Sequence, residues 1–141
     1  MTSTVVVVDS GPLLAAANRA DPDHGACVEI LRDPRHRLVI PAMCIAEVAY
    51  LLGRRTGATI EGRFLRGLES FDVRAPRPEE WKRIGHLVEQ YSDLPLGGTD
   101  ASVVSLAEQL GSRLILTLDR RHFERIRPRH CNRFDLLPEI R

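Results

Sequence analysis

Four acidic residues stand where carboxylates can do chemistry: Asp9, Glu47, Asp100 and Asp119. Asp9 directly follows the unbroken β-branched run Val5 to Val8, and Asp119 lies just beyond Leu114-Ile115-Leu116. Asp100 opens an apolar helical segment, and Glu47 sits in the first turns of the helix after Leu38-Val39-Ile40. In parallel sheets, ligands collect at the carboxyl ends of strands, near the point where strand order reverses. All four side chains are therefore expected at one pole. Carboxylates gathered this way repel one another unless most are protonated or a cation sits among them. Hard oxygen donors favour Mg²⁺ or Mn²⁺ over zinc, and the sequence places no obvious histidine or cysteine in competition. A cation so held activates water and neutralises charge on a phosphoryl group, which is phosphodiester chemistry.

Each acid also has an ordinary structural reading. An aspartate after a buried strand is often a turn former or helix cap, and Asp100, preceded by Thr99, could be only an N-terminal cap. Glu47 stands out because its neighbours Ile45, Ala46, Val48 and Ala49 are apolar, and an unpaired buried glutamate is costly. A solvent-exposed face of that helix would remove the cost.

The elements that must position these acids alternate between strand and helix. Strands are expected at Val5–Val8, Leu38–Ile40, Phe71–Val73, Leu114–Leu116 and Phe134–Leu137. Helices are expected over Leu13–Arg19, His24–Arg32, Ala42–Arg55, Thr59–Ser70, Pro78–Gln90 and Asp100–Leu110. Gly57 and Gly111 close two of them, and Trp81, Ile84, Leu87 and Val88 form the inward stripe of the fifth. Such alternation predicts an α/β fold, a three-layer α/β/α sandwich around a parallel sheet with right-handed crossovers.

The 141 residues fit one domain, 1–141, without repeats or linkers, long enough to bury a full core. Hydrophobic content of 43% and charged content of 28% are those of an ordinary globular protein. The net charge of +1 names no partner. Cys27, Cys44 and Cys131 are odd in number and widely spaced, against a disulfide framework or thiolate zinc site, and Cys27 and Cys44 read as core residues. With no apolar run long enough for a membrane and no leader pattern, the expected location is cytoplasmic.

Four stretches, VVVVDSGPLLA, IPAMCIAEVAYLLGRR, YSDLPLGGTDASVVSLAEQLG and LILTLDRRHFERIRP, occur in an order and spacing that resemble the PIN-domain ribonucleases, specifically the VapC toxins of toxin–antitoxin pairs. The resemblance implies a doubly wound sandwich and Mg²⁺- or Mn²⁺-dependent RNA cleavage. It matches Asp9 and Asp100 to the acids that contact metal most consistently, and Glu47 and Asp119 to the remaining two. It matches Ser10 and Thr99 to hydroxyls that steady the cluster, and Asp93 to a frequent extra acid. It further implies an RNA substrate, a homodimer, and a VapB-type antitoxin whose C-terminal segment occupies a groove beside the acids. Ile45, Tyr50, Leu51, Leu52, Phe64 and Leu68 are candidates for that groove, with core packing as the competing explanation.

Arg120, Arg121 and Arg54 are candidate RNA contacts, Arg120 foremost because it adjoins Asp119, whereas Arg125, Arg127 and Arg129 read equally as a solvated face. His122 reads as a local cap or packing residue. Rival readings fare less well. A response-regulator receiver needs a lysine after its last strand, and the only lysine, Lys82, is mid-helix. A haloacid-dehalogenase-type phosphatase wants a second aspartate two residues after the first, where Gly11 stands. A binding module without cleavage, or a housekeeping RNA-processing nuclease, keeps the fold and remains open.

Overall fold

The computed structural model describes residues 4–139; positions 1–3 and 140–141, the ends of the expected domain, lie outside the described residues. Five strands form one sheet: β1 (Thr4–Val8), β2 (His36–Pro41), β3 (Asp72–Arg74), β4 (Leu114–Leu116) and β5 (Asp135–Leu137). Their order is β3-β2-β1-β4-β5, and every pairing is parallel. Val6, Val7 and Val8 are fully buried, because a central strand covered on both faces has no side for a polar residue. Strand order runs outward in both directions from β1, so the switch point lies between β1 and β4.

Among the described residues seven α-helices complete the sandwich: α1 (Ser10–Ala17), α2 (His24–Arg32), α3 (Ala42–Thr56), α4 (Ala58–Gly67), α5 (Glu80–Gln90), α6 (Gly98–Leu110) and α7 (Arg120–Arg125). A 3₁₀ turn, Leu68–Ser70, finishes the segment expected as one helix to Ser70. Helix α6 is buried from Ala101 through Ala107 on all sides. Small residues suit that position, and the hydroxyls of its two serines are satisfied: Ser102 donates to the Thr99 carbonyl at 2.6 Å and Ser105 to Glu80 at 3.2 Å. Gly111, at φ 64°, stops α6 in the left-handed conformation that favours glycine.

The structure corrects two expectations of the pattern. Trp81 is not inward; it is 52% exposed, and Ile84 and Leu87 alone form the buried part of the α5 stripe. Helix α7 was not expected, because a six-residue arginine-rich turn has no periodic apolar face and is anchored chiefly by Phe123. No helix among the described residues is long and apolar enough to cross a membrane.

Candidate active site

Asp9 leaves β1 at its carboxyl end and is 5% exposed. It occupies the N-cap position of α1, yet its side chain does not cap that helix. Instead the fully buried Thr117, just past β4, donates its hydroxyl to Asp9 Oδ2 at 2.8 Å. The same Thr117 oxygen accepts the backbone N–H of Asp119 at 2.9 Å. One hydroxyl thus ties together the two strand ends that flank the switch point.

Asp100 is not a helix cap. Helix α6 begins two residues earlier, with Gly97 at the cap position, so the Asp100 carboxylate is free to meet the others. His122 joins it to Asp119: its Nδ1 lies 3.2 Å from Asp100 Oδ2 and 2.9 Å from Asp119 Oδ2. Asp119 also caps α7, its Oδ1 accepting the His122 backbone N–H at 3.4 Å. The ring is therefore placed by the helix whose start Asp119 defines.

These carboxyls share a field without a strong positive partner. Burial pushes the Asp9 carboxyl up to about 6; the Ser10 amide and the Thr117 hydroxyl oppose the rise, and the charges of Asp100 and Glu47 add to it. Asp100 is also raised, first by burial and further by Asp119 and Glu47, with His122 opposing. Burial and the nearby Asp9 charge drive the Cys44 thiol upward too, so it stays protonated and is no thiolate ligand.

The expectation of a pocket free of histidine and cysteine is thus corrected on both counts, for His122 sits inside the cluster and Cys44 beside it. Glu47 is exposed rather than buried, so the burial cost that singled it out does not arise. It remains near enough to act on Asp9 and Asp100, one turn beyond Cys44 on the same side of α3. Ser10 is buried, with its side chain beside the Cys44 thiol. Thr99 sits in the first turn of α6, half-buried. Asp93 lies on the exposed turn between α5 and α6, in no hydrogen bond or ion pair among the described residues.

Arg120, the foremost expected RNA contact, is already engaged: its Nη1 donates to the Pro138 carbonyl at 2.9 Å, and its Nε lies 3.4 Å from Glu124. Arg54 donates to the Tyr50 hydroxyl at 3.0 Å and stacks over that ring. Arg121 is exposed and in no ion pair among the described residues. Two of the groove candidates, Phe64 and Leu68, line an apolar cavity of about 570 Å³, together with Leu13, Val28, Leu31 and Ile60 from α1, α2 and α4. Leu52 is core, and Tyr50 is 61% exposed elsewhere on α3.

Do these residues fit a divalent cation? Ligand atoms of Asp100, Asp119 and His122 all lie within 4.8 Å of one another. The Asp9 carboxyl, buried among other acids and without a cationic side chain among its partners, gains from a bound cation. Carboxylates suit Mg²⁺ and Mn²⁺, and the imidazole of His122 is better tolerated by Mn²⁺. The donor set fits.

A family model described as the PIN domain matches residues 6–127. The chain belongs to the PIN domain family. It is 35% identical to Ribonuclease VapC26 of Mycobacterium tuberculosis over 135 residues, 94% of this chain and all of that one. Among solved structures, VapC20 of M. tuberculosis, described as a sarcin-ricin-loop-cleaving toxin, superposes with a TM-score of 0.73 at 16% identity over 78% of this chain and 86% of that one. VapBC2 from Rickettsia felis, bound to a promoter DNA fragment, gives 0.66 at 15% identity, covering 87% and 93%. VapBC-1 from nontypeable Haemophilus influenzae gives 0.64 at 17%, covering 86% and 92%. This PIN domain therefore has a ribonuclease as a near full-length homologue and the α/β/α architecture of the VapC toxins.

Proposed function

We propose that this PIN domain is a divalent-metal-dependent endoribonuclease, the toxin of a toxin–antitoxin pair, which cuts cellular RNA and so inhibits translation. The observation that carries the reading is the meeting of Asp9, Asp100 and Asp119 at the sheet's switch point, in a chain homologous along its length to a ribonuclease. Asp9 and Asp100 are the principal ligands for Mg²⁺ or Mn²⁺, and Glu47 and Asp119 complete the set directly or through water. When bound, such an ion activates water and neutralises phosphoryl charge.

The chain's own residues do the rest. Thr117 fixes the Asp9 carboxylate and the Asp119 backbone, so the acids are held before substrate arrives. Ser10 and Thr99 supply hydroxyls beside Asp9 and Asp100. His122 holds Asp100 and Asp119 together, its Nδ1 within reach of both carboxylates, and would be a neighbour or ligand of a cation bound there. Arg121 and Arg54 offer guanidinium groups to the RNA backbone. The products are a 5′-phosphate and a 3′-hydroxyl.

The partner is a VapB-type antitoxin, a reading supported by the two VapBC fold neighbours and by the largely apolar cavity between α1, α2 and α4, which Arg19, Arg32 and Arg63 also line. A homodimer in the cytoplasm completes the picture. The test is cleavage of end-labelled RNA in Mn²⁺ or Mg²⁺. Asp9→Asn and Asp100→Asn should each remove several kcal/mol of charge stabilisation, roughly 10³-fold in rate, with unchanged circular dichroism. Full activity of either variant, or of the native chain in excess EDTA, refutes the proposal. RNA binding by the native chain without cleavage in Mn²⁺ establishes the binding-module reading instead.

A further inference from the structure

The segment that leads away from the acidic pole alternates inside and outside. Arg125, Arg127 and Arg129 are exposed, whereas Ile126 and Pro128 between them are buried. Ile126 is 1% exposed with extended backbone, φ −83° and ψ 136°. Arg127 precedes a proline, which disfavours helical backbone. Arg125 ends α7, and Arg127 and Arg129 follow it on the irregular segment, each separated from the next by one buried residue.

The rack is pinned along its length. The Arg127 amide donates to the Tyr91 hydroxyl at 3.0 Å, the Arg129 amide to Glu108 at 2.7 Å, and the His130 ring lies 2.6 Å from the Ser112 carbonyl. These anchors use backbone amides and a neighbouring ring, and leave the guanidinium groups outward. None of Arg125, Arg127, Arg129 or Arg133 is in an ion pair among the described residues, although the chain has carboxylates nearby. Glu124 lies beside Arg120, and Glu108 is held by Arg83. The four arginines edge an open depression of about 850 Å³.

Its course is set by the topology. Helix α7, capped by Asp119, runs from Arg120 to Arg125, about 9 Å along a helix axis. The chain then descends beside α5 and α6 to the start of β5, and that strand is parallel to β4, so its start lies at the pole opposite the acids.

We infer that Arg125, Arg127 and Arg129, with Arg133 on the same depression, form a second RNA-contact site that grips successive phosphates of the strand leading away from the acidic pocket. Guanidinium groups suit bidentate phosphate contact, and four of them edge the one depression. The backbone anchors spare the ordering cost of the main chain, leaving that of the arginine side chains. This site rests on the reading of the pocket as an RNA-cutting centre, and it requires an RNA long enough to reach from pocket to rack.

The test compares Arg125→Ala/Arg127→Ala/Arg129→Ala with the corresponding triple lysine variant. Both are made in the full chain carrying Asp100→Asn, and binding is read by fluorescence anisotropy against salt with an RNA hairpin and with a tetranucleotide. The expected result is a log–log salt slope for the hairpin smaller by about 2, each lost phosphate contact contributing roughly 0.7 to 0.9. Lysine should restore most of it, and the tetranucleotide should be unaffected. An unchanged slope in a normally folded triple alanine variant overturns the inference, as does an equal loss with the tetranucleotide. So does an acidic peptide of matched charge that binds the native rack more tightly than the hairpin. If the native chain fails to cleave RNA yet the hairpin slope falls as stated, the rack stands and the nuclease reading falls.

Discussion

Two regions of this molecule bury carboxylates, and they treat them in opposite ways. Between α5 and α6, Glu108 meets Arg83 in a two-pronged ion pair at 2.8 and 2.9 Å, with side chains only 9% and 14% exposed, and also accepts the Arg129 amide. Burial alone raises the Glu108 carboxyl, but the Arg83 and Arg129 hydrogen bonds outweigh it, and the net shift is downward. At the carboxyl pole Asp9 is equally sheltered, yet its partners are a hydroxyl, a neighbouring amide and other acids, and its carboxyl rises to about 6. A chain rich in arginine has neutralised Glu108 and left Asp9 without a cation of its own. Burial sets the size of the problem in both places, and the partner sets its sign. Functional pockets are where such an unresolved charge is tolerated.

The largest effect that sharpens this contrast is on stability, at Asp9. The folded carboxyl holds its proton more tightly than the unfolded one, so stability falls as pH rises from about 3.8 to about 6 and the loss persists above that window. Asp9→Asn should therefore stabilise the metal-free protein by up to about 3 kcal/mol at pH 8, with the gain vanishing near pH 4 in urea denaturation. Added Mn²⁺ should raise the Tm of the native chain and not of the variant. A gain of the same size at both pH values would show that the charge is not its source.

Breaking the neutralised region should do the reverse. Arg83→Met leaves Glu108 largely buried with only the Arg129 amide, and should cost about 2 kcal/mol at neutral pH. Because the native Glu108 carboxyl is lowered, its contribution is present above the ordinary value of 4.5 and lost as pH falls, so the penalty should shrink in acid. RNA cleavage should be unchanged; a matching loss of activity would mean that the two regions are coupled.

The smallest effect is at the hydroxyl that links the two strand ends. Thr117→Val keeps the shape but removes the donor to Asp9 and the acceptor for the Asp119 amide, and should lower cleavage and Mn²⁺ affinity about 10-fold. Thr117→Ser should restore both. If valine is silent, Thr117 is core packing and the pole is held by its backbone alone.

Much of this arrangement was legible beforehand. Val5 to Val8 read as a doubly covered strand because no polar residue interrupts it, and Asp9 and Asp119 fell at strand ends by simple adjacency. An apolar neighbourhood in sequence does not make a buried face: α3 turns Glu47 outward, and α5 does the same with Trp81. His122 and Thr117 carried no signal of their own, although the Thr-x-Asp spacing at 117–119 was open to a search for a hydroxyl beside an acid.

The sequence by itself determined the alternation of strand and helix, the family pattern and the four acids, because these depend on periodicity and on residues close along the chain. Only the tertiary structure decided which polar groups meet. Thr117 finds Asp9 across 108 positions, and His122 finds Asp100 across 22. It also showed that Arg120 is spoken for while Arg125, Arg127 and Arg129 are in no ion pair among the described residues. Periodicity reports which face of an element is apolar. The partner of a polar end is fixed by how strands order in the sheet, and that is a property of the whole packed chain.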